Sequence, residues 1–240
     1  MKDQSELREN QLLAALPEIE LERILPHLES VLLPPGEVLY DFGDELTHIY
    51  FPNKNAVVSS SCNADEHASV EVGLCGNEGA VGFSALFGSQ TTPHQSLVQV
   101  PGSASRLPVA SARDEFRRGE RFQELILRFS QAMFVQVAQT ALCNRLHSDE
   151  ERLARWLLLS NDRIEFQQLP LTRELMAKLL GRSASQASLT VAILQKAGLI
   201  HYKDSQVVIT DREKLESAAC SCYWVVRREA AKILDTLKIA

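Results

Sequence analysis

Residues 120–169 contain neither glycine nor proline, and this stretch constrains the fold more than any other feature of the sequence. Within it, apolar side chains return every three to five residues, which is the spacing of one face of an amphipathic helix. These side chains are Phe122, Leu125, Ile126, Phe129, Met133, Val137 and Leu142. The pattern predicts a long helix from about residue 119 to residue 146.

The region before this helix has a shorter period. From residue 31 to residue 109, short apolar segments alternate with turn residues, as where Gly36 precedes Val38-Leu39-Tyr40. Residues 68–74 alternate small or apolar side chains with polar ones, which is typical of a half-buried strand. Several short strands at this spacing indicate an antiparallel sandwich or barrel. A helical segment at about residues 5–30 is expected in front of it.

Composition restricts the class of protein. The chain has 240 residues, 45% of them hydrophobic, and this balance is typical of a folded soluble protein. No apolar run is long enough to span a membrane, and the first ten residues lack the apolar core of a secretory signal. The five cysteines are scattered and odd in number, which argues against a disulfide framework. We therefore expect a cytoplasmic protein.

Charge is distributed unevenly along the chain. The formal net charge is −6, but residues 1–145 carry −8 and residues 146–240 carry +2. Within residues 166–203 the local charge is +4, because this segment contains five Lys and Arg residues and one acidic residue, Glu174. A basic segment in an acidic chain is typical of a polyanion-binding surface, although a solvated face is an equally good interpretation from charge alone.

Residues 171–200 predict two short helices joined by a tight turn. Thr172 and Ser183 are suited to cap the two helices, Gly181 tolerates the turn between them, and Gly198 ends the second helix. The predicted buried positions are Leu175, Leu179 and Leu180 on the first helix, and Ala187, Val191 and Leu194 on the second. This is the helix-turn-helix pattern, whose second helix enters the DNA major groove. An ordinary αα-hairpin is the alternative, and the coincident basic segment favours DNA binding.

Four sequence motifs carry a resemblance to a known family. They are Gly36-Glu-Val-Leu-Tyr-Asp-Phe-Gly43, Gly79-Ala-Val-Gly82, Leu171-Thr-Arg-Glu through Leu179-Leu-Gly181, and Leu194-Gln-Lys-Ala-Gly-Leu-Ile200. With the order of β domain, long helix and helix-turn-helix, the chain resembles the cyclic-AMP receptor/fumarate-nitrate regulator (Crp/Fnr) superfamily. The resemblance implies an α+β protein with a double-stranded β-helix (jelly-roll) sensor domain, a parallel dimer formed through the long helix, and a winged helix-turn-helix on a pseudo-palindromic operator.

The implied domains are a sensor at residues 1–118, a dimerisation helix at 119–145, a DNA-binding domain at 146–214 and a helical extension at 215–240. Thr172 and Arg173 match the family positions that grip phosphate. The family usually presents Arg and Glu directly after the capping Ser and a further Arg one turn on, but this chain departs from that pattern. The complete set of predicted DNA contacts is Thr172, Arg173, Arg182, Ser183, Ala184, Ser185, Gln186, Ser188, Leu189 and Lys203.

This set predicts an operator unlike the family's. Without the Arg–guanine and Glu–cytosine pairs, Gln186 is left to take adenine and Leu189 to touch a thymine methyl group. Ser185, Ser188 and Arg182 are further candidates, and Lys203 lies at the predicted tip of the wing. We expect recognition that leans towards A·T pairs or depends on DNA shape.

The sensor domain departs from the family's cyclic-nucleotide pattern. Phe83 stands where the family has the Glu that binds the ribose, and residues 81–105 contain no Arg to neutralise the cyclic phosphate. A buried phosphate without a cation is costly, so we expect a signal other than cyclic AMP bound in the usual manner. The corresponding pocket residues are Gly82, Phe83, Ser84, Ala85, Thr91 and Thr92.

No cofactor, metal site or enzymatic activity is predicted. The family's iron–sulfur members use an N-terminal cysteine cluster, whereas the first cysteine here is Cys62. Cys220 and Cys222 form the one close pair, for which core packing is favoured over a redox role or half a metal site. The six histidines form no His-x-His pair of the kind that metal-dependent jelly-roll enzymes use, and no nucleophile or phosphate-loop motif is present.

The long helix predicts the assembly. Its expected dimer contacts are Phe122, Ile126, Phe129, Met133 and Val137, although packing on the chain's own β domain is the alternative. A hinge near residues 147–149 would let a signal realign the two DNA-binding helices. The expected partners are double-stranded DNA, a second copy of the chain and, for an activator, RNA polymerase, with no membrane. The alternative function is a ligand- or redox-sensing scaffold with weakened or lost specific DNA binding.

Overall fold

The computed structural model describes residues 7–65 and 68–237, so the predicted domain limits at residues 1 and 240 and the predicted absence of a signal segment fall outside the described residues. Helices, a sheet domain, a long helix and a helical domain with a small sheet follow one another along the chain. This order confirms the predicted fold class, an α+β protein with an N-terminal sheet domain, a long helix and a C-terminal winged helix-turn-helix.

The N-terminal domain consists of two antiparallel sheets. Two short helices, α1 Gln11–Ala14 and α2 Glu18–Ile24, precede them. The strands are β1 Glu29–Leu33, β2 Val38–Tyr40, β3 His48–Pro52, β4 Val57–Asp65, β5 Ala68–Cys75, β6 Gln95–Val100 and β7 Gly102–Pro108. One sheet has the strand order β1-β7-β3 and the other β2-β6-β4-β5. Alternating side chains point inwards, so Ile49 and Phe51 of β3 are fully buried in the core.

A short 3-10 helix, Phe83–Phe87, begins at Gly82, which has a φ of +83°. A Cβ atom at this position would lie 2.8 Å from the His48 carbonyl oxygen, so the close approach requires glycine. After β7 the chain forms α3 Val109–Arg117 and then the long helix α4 Arg121–Leu146, as predicted. The Glu20 carboxylate caps α4, because it accepts hydrogen bonds from the backbone amides of Arg121 (3.2 Å) and Phe122 (2.8 Å).

The stretch without glycine or proline contains two helices. The long helix ends at Leu146, His147 has extended backbone, and Ser148 caps the next helix, α5 Asp149–Asn161, in a capping box with Glu151. The break lies at the predicted hinge. Polar caps, with no glycine, are sufficient to end one helix and start another.

The dimer contacts predicted on the long helix are corrected by the structure. Phe122, Ile126 and Phe129 are buried in the core of their own chain, where Phe122 packs on Phe51 and the Phe129 ring lies 5.2 Å from the Phe83 ring. They have no surface left to offer a partner. The alternative, packing on the β domain, is therefore correct for these three side chains. Met133 is partly buried and Val137 is exposed, so for these two the prediction stays open.

The C-terminal domain contains the predicted helices and wing. Its elements are β8 Gln168–Pro170, α6 Arg173–Leu180, α7 Ala184–Lys196, β9 Ile200–Lys203, β10 Gln206–Ile209, α8 Arg212–Ala218 and α9 Cys222–Leu237. The small sheet has the order β8-β10-β9. Strand β8 was not predicted, because three residues ending in proline show no alternation. Helix α9 packs against the long helix.

The two domains share a buried contact. Val57 and Leu74 of the β domain belong to the same apolar cluster as Leu157 of α5. The indole Nε1 of Trp156 donates a 2.8 Å hydrogen bond to the buried carboxylate of Glu71. Burial raises the pKa of this carboxyl group to about 7, despite hydrogen bonds from Gln99 and Trp156. The C-terminal domain is therefore docked on the β domain through a largely desolvated surface.

Candidate nucleic-acid interface

The helix-turn-helix has the predicted caps and turn. The Thr172 hydroxyl accepts a 3.1 Å hydrogen bond from the Leu175 amide at the start of α6. Gly181 has a φ of +59° and ends that helix. Ser183 then caps α7 in a capping box with Gln186. Local hydrogen bonds thus fix the path of the chain between the two helices.

The buried sides of the two helices agree with the predictions except at one turn of α6. In α7, Ala187, Val191 and Leu194 are buried as predicted. In α6, Leu179 and Leu180 are buried, but Met176 occupies the fully buried position and Leu175 is only partly covered. The methionine lies on the same face one residue further along, where it fills the core below the turn.

The exposed side of α7 is uncharged and partly apolar. Ala184, Ser185 and Leu189 face solvent, and Leu189 is 63% exposed. Ile193 extends this exposed strip by one turn, and sequence reasoning did not include it. The apolar residues at i and i+4 that do not belong to the buried face are the signal that identifies it.

Four predicted base-reading side chains make hydrogen bonds within their own chain. The Ser185 hydroxyl lies 3.0 Å from the Ser183 hydroxyl. The Gln186 Oε1 accepts hydrogen bonds from the Ser183 amide and hydroxyl, which holds it at the cap. The Ser188 hydroxyl donates a 2.8 Å hydrogen bond to the Ala184 carbonyl. Arg182 Nε donates a 2.8 Å hydrogen bond to Asp149 at the start of α5. Base contacts through the same atoms would compete with these internal hydrogen bonds.

The cations of the basic segment surround the two helices. Arg173 in the first turn of α6 is exposed beside Thr172, and Lys178 and Lys196 are also exposed. Lys203 lies at the wing tip, where Asp204 and Ser205 have positive φ angles of 51° and 58°. The helix N-terminus and Arg173 together present amide dipoles and a guanidinium group in one place, a combination suited to a phosphate.

A cavity of about 130 Å³ lies in the β domain. Four of the six predicted pocket residues line it, namely Gly82, Phe83, Ser84 and Thr92. Ala85 is buried and Thr91 is exposed, and neither is among the lining residues. The Thr92 hydroxyl is already used, because it accepts a hydrogen bond from the His94 amide and donates one to the His94 carbonyl.

The lining of this cavity is uncharged. Among the described residues that form it there is no Asp, Glu, Lys or Arg, and burial lowers the pKa of His94, which favours its neutral form. Met133 and Val137 of the long helix close one side. The cavity therefore gives a phosphate no cation, and a molecule bound there would contact the long helix.

The long helix leaves an apolar face without a covering element in the described chain. Its members project away from the side that carries Phe122 and Phe129, and we call them the outward face: Leu127, Phe134, Leu142 and Leu146. Phe134 is 69% exposed and lies near the centre of this face. None of these four residues was among the predicted dimer contacts, although the seven-residue step from Leu127 to Phe134 is a helical repeat.

The structure also brings distant cysteines together. Cys143 of the long helix lies against Cys220 and Cys222, with His147 beside them. Cys220 precedes α9 and Cys222 is its first residue, so the turn between them lets both thiols face the same side. The spacing Cys143-x-x-x-His147, one helical turn, is the signal that could have identified the group.

Comparison with known proteins agrees with this architecture. Residues 151–218 match the model of the Crp-like helix-turn-helix domain. FixK2 from Bradyrhizobium japonicum has a TM-score of 0.69 at 14% identity, over 81% of this chain and 98% of that one. The regulator CLP of Xanthomonas campestris, described as c-di-GMP responsive, has a TM-score of 0.68 at 20% identity, over 81% and 100% of the two chains. No curated protein matches the sequence.

A third structure gives the same result. A putative Crp/Fnr-family transcriptional regulator from Eubacterium rectale has a TM-score of 0.68 at 16% identity, over 86% of this chain and 96% of that one. The predicted resemblance to the Crp/Fnr superfamily is thereby confirmed, and the fold is that of its transcription regulators. In the part of the chain that the structure describes, no helix has the length and apolar character that a membrane span requires.

Proposed function

We propose that this chain, with the Crp/Fnr fold and a Crp-like helix-turn-helix domain, is a sequence-specific DNA-binding transcription regulator. It acts as a homodimer on a pseudo-palindromic operator, and a signal at the β domain, other than cyclic AMP in the usual manner, modulates it. The observation that carries the proposal is the exposed pair Thr172 and Arg173 at the start of α6, directly before the exposed strip of α7. We propose that the protein is not an enzyme, acts in the cytoplasm, and contacts RNA polymerase if it is an activator.

Phosphate contacts position the module on DNA. The α6 N-terminus and Arg173 take one phosphate, and Lys203 at the wing tip takes another across the groove. Both side chains are exposed and lie outside the helix-turn-helix core. The helix-turn-helix is thus oriented by charge before any base is read.

Base reading rests on the exposed strip of α7. Leu189 and Ile193 offer apolar surface that suits thymine methyl groups, and Ser185 offers a hydroxyl to a neighbouring base edge. Gln186 adds an adenine contact if it leaves the capping box. The strip therefore supports an operator with A·T pairs at the contacted steps.

The outward face of the long helix is the surface through which we propose that two copies associate. In a parallel two-fold dimer, Phe134 of each chain meets the other helix near the axis. This arrangement places the two α7 helices about 34 Å apart, one turn of DNA. An inverted repeat with that spacing is the expected operator.

The signal is proposed to be a small uncharged molecule in the β-domain cavity. Its uncharged lining disfavours a phosphate, and Met133 and Val137 connect the cavity to the long helix. A ligand that shifts these side chains would move the long helix relative to the β domain. The hinge at Ser148 would pass this movement on to the DNA-binding domain. The response is then a population shift between two orientations of α7.

The test begins with unliganded full-length protein and fragmented genomic DNA, whose retained pieces are sequenced. We expect a shared inverted repeat rich in A·T at the contacted steps. Binding to that site is then measured against salt, because log affinity falls linearly with log salt when phosphates are neutralised. Arg173→Ala should weaken binding on all sequences and reduce the salt slope by about one per chain.

Arg117→Ala is the matched control, since Arg117 is an exposed arginine on α3, far from the helix-turn-helix. It should leave both affinity and slope unchanged. Equal effects of the two variants would mean that Arg173 acts only through net charge. No retained sequence and no salt dependence would favour the scaffold alternative.

A further inference from the structure

Four side chains of metal-ligand type meet where the long helix ends. Cys143 lies in its last turn and His147 directly follows it, whereas Cys220 precedes α9 and Cys222 is its first residue. We call these four residues the Cys3His cluster: Cys143, His147, Cys220 and Cys222. All four ligand atoms lie within 4.8 Å of one another. The Sγ atoms of Cys143 and Cys220 are 3.5 Å apart, and Cys222 Sγ is 3.6 Å from His147 Nδ1.

These distances fit a tetrahedral metal site. Zinc binds sulfur at about 2.3 Å and histidine nitrogen at about 2.0–2.1 Å, which gives ligand–ligand edges of about 3.5–3.8 Å. A disulfide between Cys143 and Cys220 would require a sulfur–sulfur distance of about 2.05 Å. The two sulfurs therefore stand at the spacing of two ligands of one ion.

The backbone holds the cluster in place. Cys143 and His147 are one helical turn apart, so their side chains share a face. The turn that precedes α9 places Cys220 and Cys222 opposite that face, and the Tyr223 amide donates to the Cys220 carbonyl to close it. The three cysteines are buried and His147 is partly exposed, which leaves a path for an ion.

A buried arginine supplies the charge that such a site needs. Three thiolates and a neutral histidine around Zn²⁺ carry a net charge of −1. Arg155 is buried, donates to the Thr140 hydroxyl at 3.3 Å, and makes no ion pair with any carboxylate in the described chain. Its field acts on all three thiols of the cluster and on Glu71. A buried cation without an ion-pair partner is costly, and an anionic metal site beside it offsets that cost.

We propose that the Cys3His cluster binds one Zn²⁺ ion per chain as a closed, four-coordinate structural site. Soft thiolate ligands in a tetrahedron select zinc among the common divalent ions, and four protein ligands leave no position for a substrate. Binding replaces up to three thiol protons, which pass to solvent as the S–Zn bonds form, and no electron is transferred. The inference does not depend on DNA binding.

The ion fastens the α9 segment to the end of the long helix. His147 directly precedes the cap of α5, so the site adjoins the hinge between the long helix and the DNA-binding domain. Occupied zinc restrains that hinge, whereas the empty cluster frees it. The site is thus placed to hold the helix-turn-helix in one orientation relative to the long helix.

The test uses tag-free, full-length, reduced protein that is stripped of metal and titrated with Zn²⁺ and then with Co²⁺ as a spectroscopic probe. We expect one ion per chain, a rise in Tm with zinc, and the intense visible absorption of tetrahedral cobalt with thiolate charge-transfer bands. Weak octahedral cobalt absorption, the absence of stoichiometric binding, or iron with sulfide in the purified protein would overturn the zinc assignment. So would a Cys143–Cys220 disulfide as the resting state.

Variants separate the site from general thiol chemistry. Cys222→Ser and His147→Ala should each weaken zinc binding by at least about a hundredfold and abolish the Tm rise, since ligands matter more than their supporting residues. Cys62→Ser is the matched control, because Cys62 lies on β4 outside the cluster, and it should bind zinc normally. If a cysteine variant fails to fold, His147→Ala, at a partly exposed position, still decides the question. Unchanged affinity in His147→Ala would show that the fourth ligand is wrong.

Arg155 provides a second, independent readout. Arg155→Gln should weaken zinc binding by about tenfold, whereas Arg155→Lys retains the positive charge and should recover most of the affinity. Equal loss in both variants would mean that Arg155 acts by packing, which would overturn its assigned role as counter-charge to an anionic site.

Discussion

The long helix carries large apolar side chains on two faces, and the two faces differ in their surroundings. The inward face, with Phe122, Ile126 and Phe129, is buried against the chain's own β domain. The outward face also carries large apolar side chains but lies in solvent, with Phe134 near its centre. A helix with one apolar face needs only one neighbouring surface to cover it. Two opposite apolar faces indicate that the helix must satisfy its own domain on one side and another surface on the other.

The difference explains why periodicity misled the assignment of the dimer contacts. Hydrophobic spacing identifies which residues lie on one side of a helix, but not which neighbour covers that side. Polar contacts give the missing information. The Gln136 amide bonds to both backbone groups of Leu74, and the Glu20 carboxylate caps the helix, so the inward face is marked by buried hydrogen bonds.

The largest effect is expected when a charge enters the inward face. Phe129 is 2% exposed and packs so closely that a Cβ on Gly79 would lie 2.2 Å from its ring. Phe129→Asp removes that ring and buries a carboxylate, which should cost at least about 4 kcal/mol of unfolding free energy. Chemical denaturation followed by circular dichroism measures it. Phe129→Leu, which keeps the apolar contact, should cost about 1–2 kcal/mol.

The second prediction concerns Glu71. This buried residue lies on the same strand as Leu74, and its carboxylate accepts a hydrogen bond from the Trp156 indole. Its pKa of about 7 in the folded chain exceeds the ordinary 4.5, so protonated Glu71 is favoured by folding. This contribution to the unfolding free energy is fully present below pH 4.5. It is lost as the pH rises to about 7, which lowers the unfolding free energy by about 3 kcal/mol. Arg155 and Arg163 oppose the shift without cancelling it.

Glu71→Gln keeps the acceptor for Trp156 and removes the titration. Relative to the parent chain, it should be most stabilising above pH 7 and lose that advantage towards pH 4.5. Denaturation midpoints across this range give the difference. A constant difference at all pH values would mean that folding does not change the pKa of Glu71.

A smaller effect is expected at Gln136, the polar member of the inward face. Its amide donates to the Leu74 carbonyl at 3.0 Å and accepts from the Leu74 amide at 3.2 Å. Gln136→Leu leaves both backbone groups unpaired in a buried place, which should cost about 2 kcal/mol. Gln139→Leu, one turn away on the same helix, should change stability by less than about 0.5 kcal/mol.

Sequence reasoning succeeded where the controlling interactions are local. Thr172, Gly181 and Ser183 set the helix-turn-helix through hydrogen bonds and backbone angles within four residues, so the pattern alone locates them. The β strands and the hinge follow from equally short signals. The contacts of the predicted base-reading side chains could not be foreseen in the same way, because Arg182 bonds to Asp149, which lies 33 positions away.

Long-range contacts account for the remaining differences. Cys143 and Cys220 are separated by 77 positions, and no spacing rule connects them. Their meeting depends on the packing of α9 against the long helix, which in turn depends on the docking of the whole C-terminal domain. Burial of Phe122, Ile126 and Phe129 likewise depends on the β domain and could not be distinguished from burial in a dimer.

The smallest effect on stability, and the sharpest test of the comparison, is expected at Phe134. Because the side chain is 69% exposed, Phe134→Asp should change the unfolding free energy of the chain by less than about 0.5 kcal/mol. Its effect on assembly should be large. The charge enters a two-fold interface twice, near its centre, so the dimer should weaken by at least about a hundredfold and operator affinity should fall with it.

Sedimentation velocity and operator binding measure these effects beside Ile19→Asp, which alters an apolar side chain of similar exposure, 65%, on α2. The control should remain dimeric, because Ile19 lies away from the outward face. A dimeric Phe134→Asp would place the partner elsewhere and leave the outward face unexplained. A monomeric and fully stable Phe134→Asp, beside an unfolded Phe129→Asp, would assign one face of the helix to folding and the other to assembly.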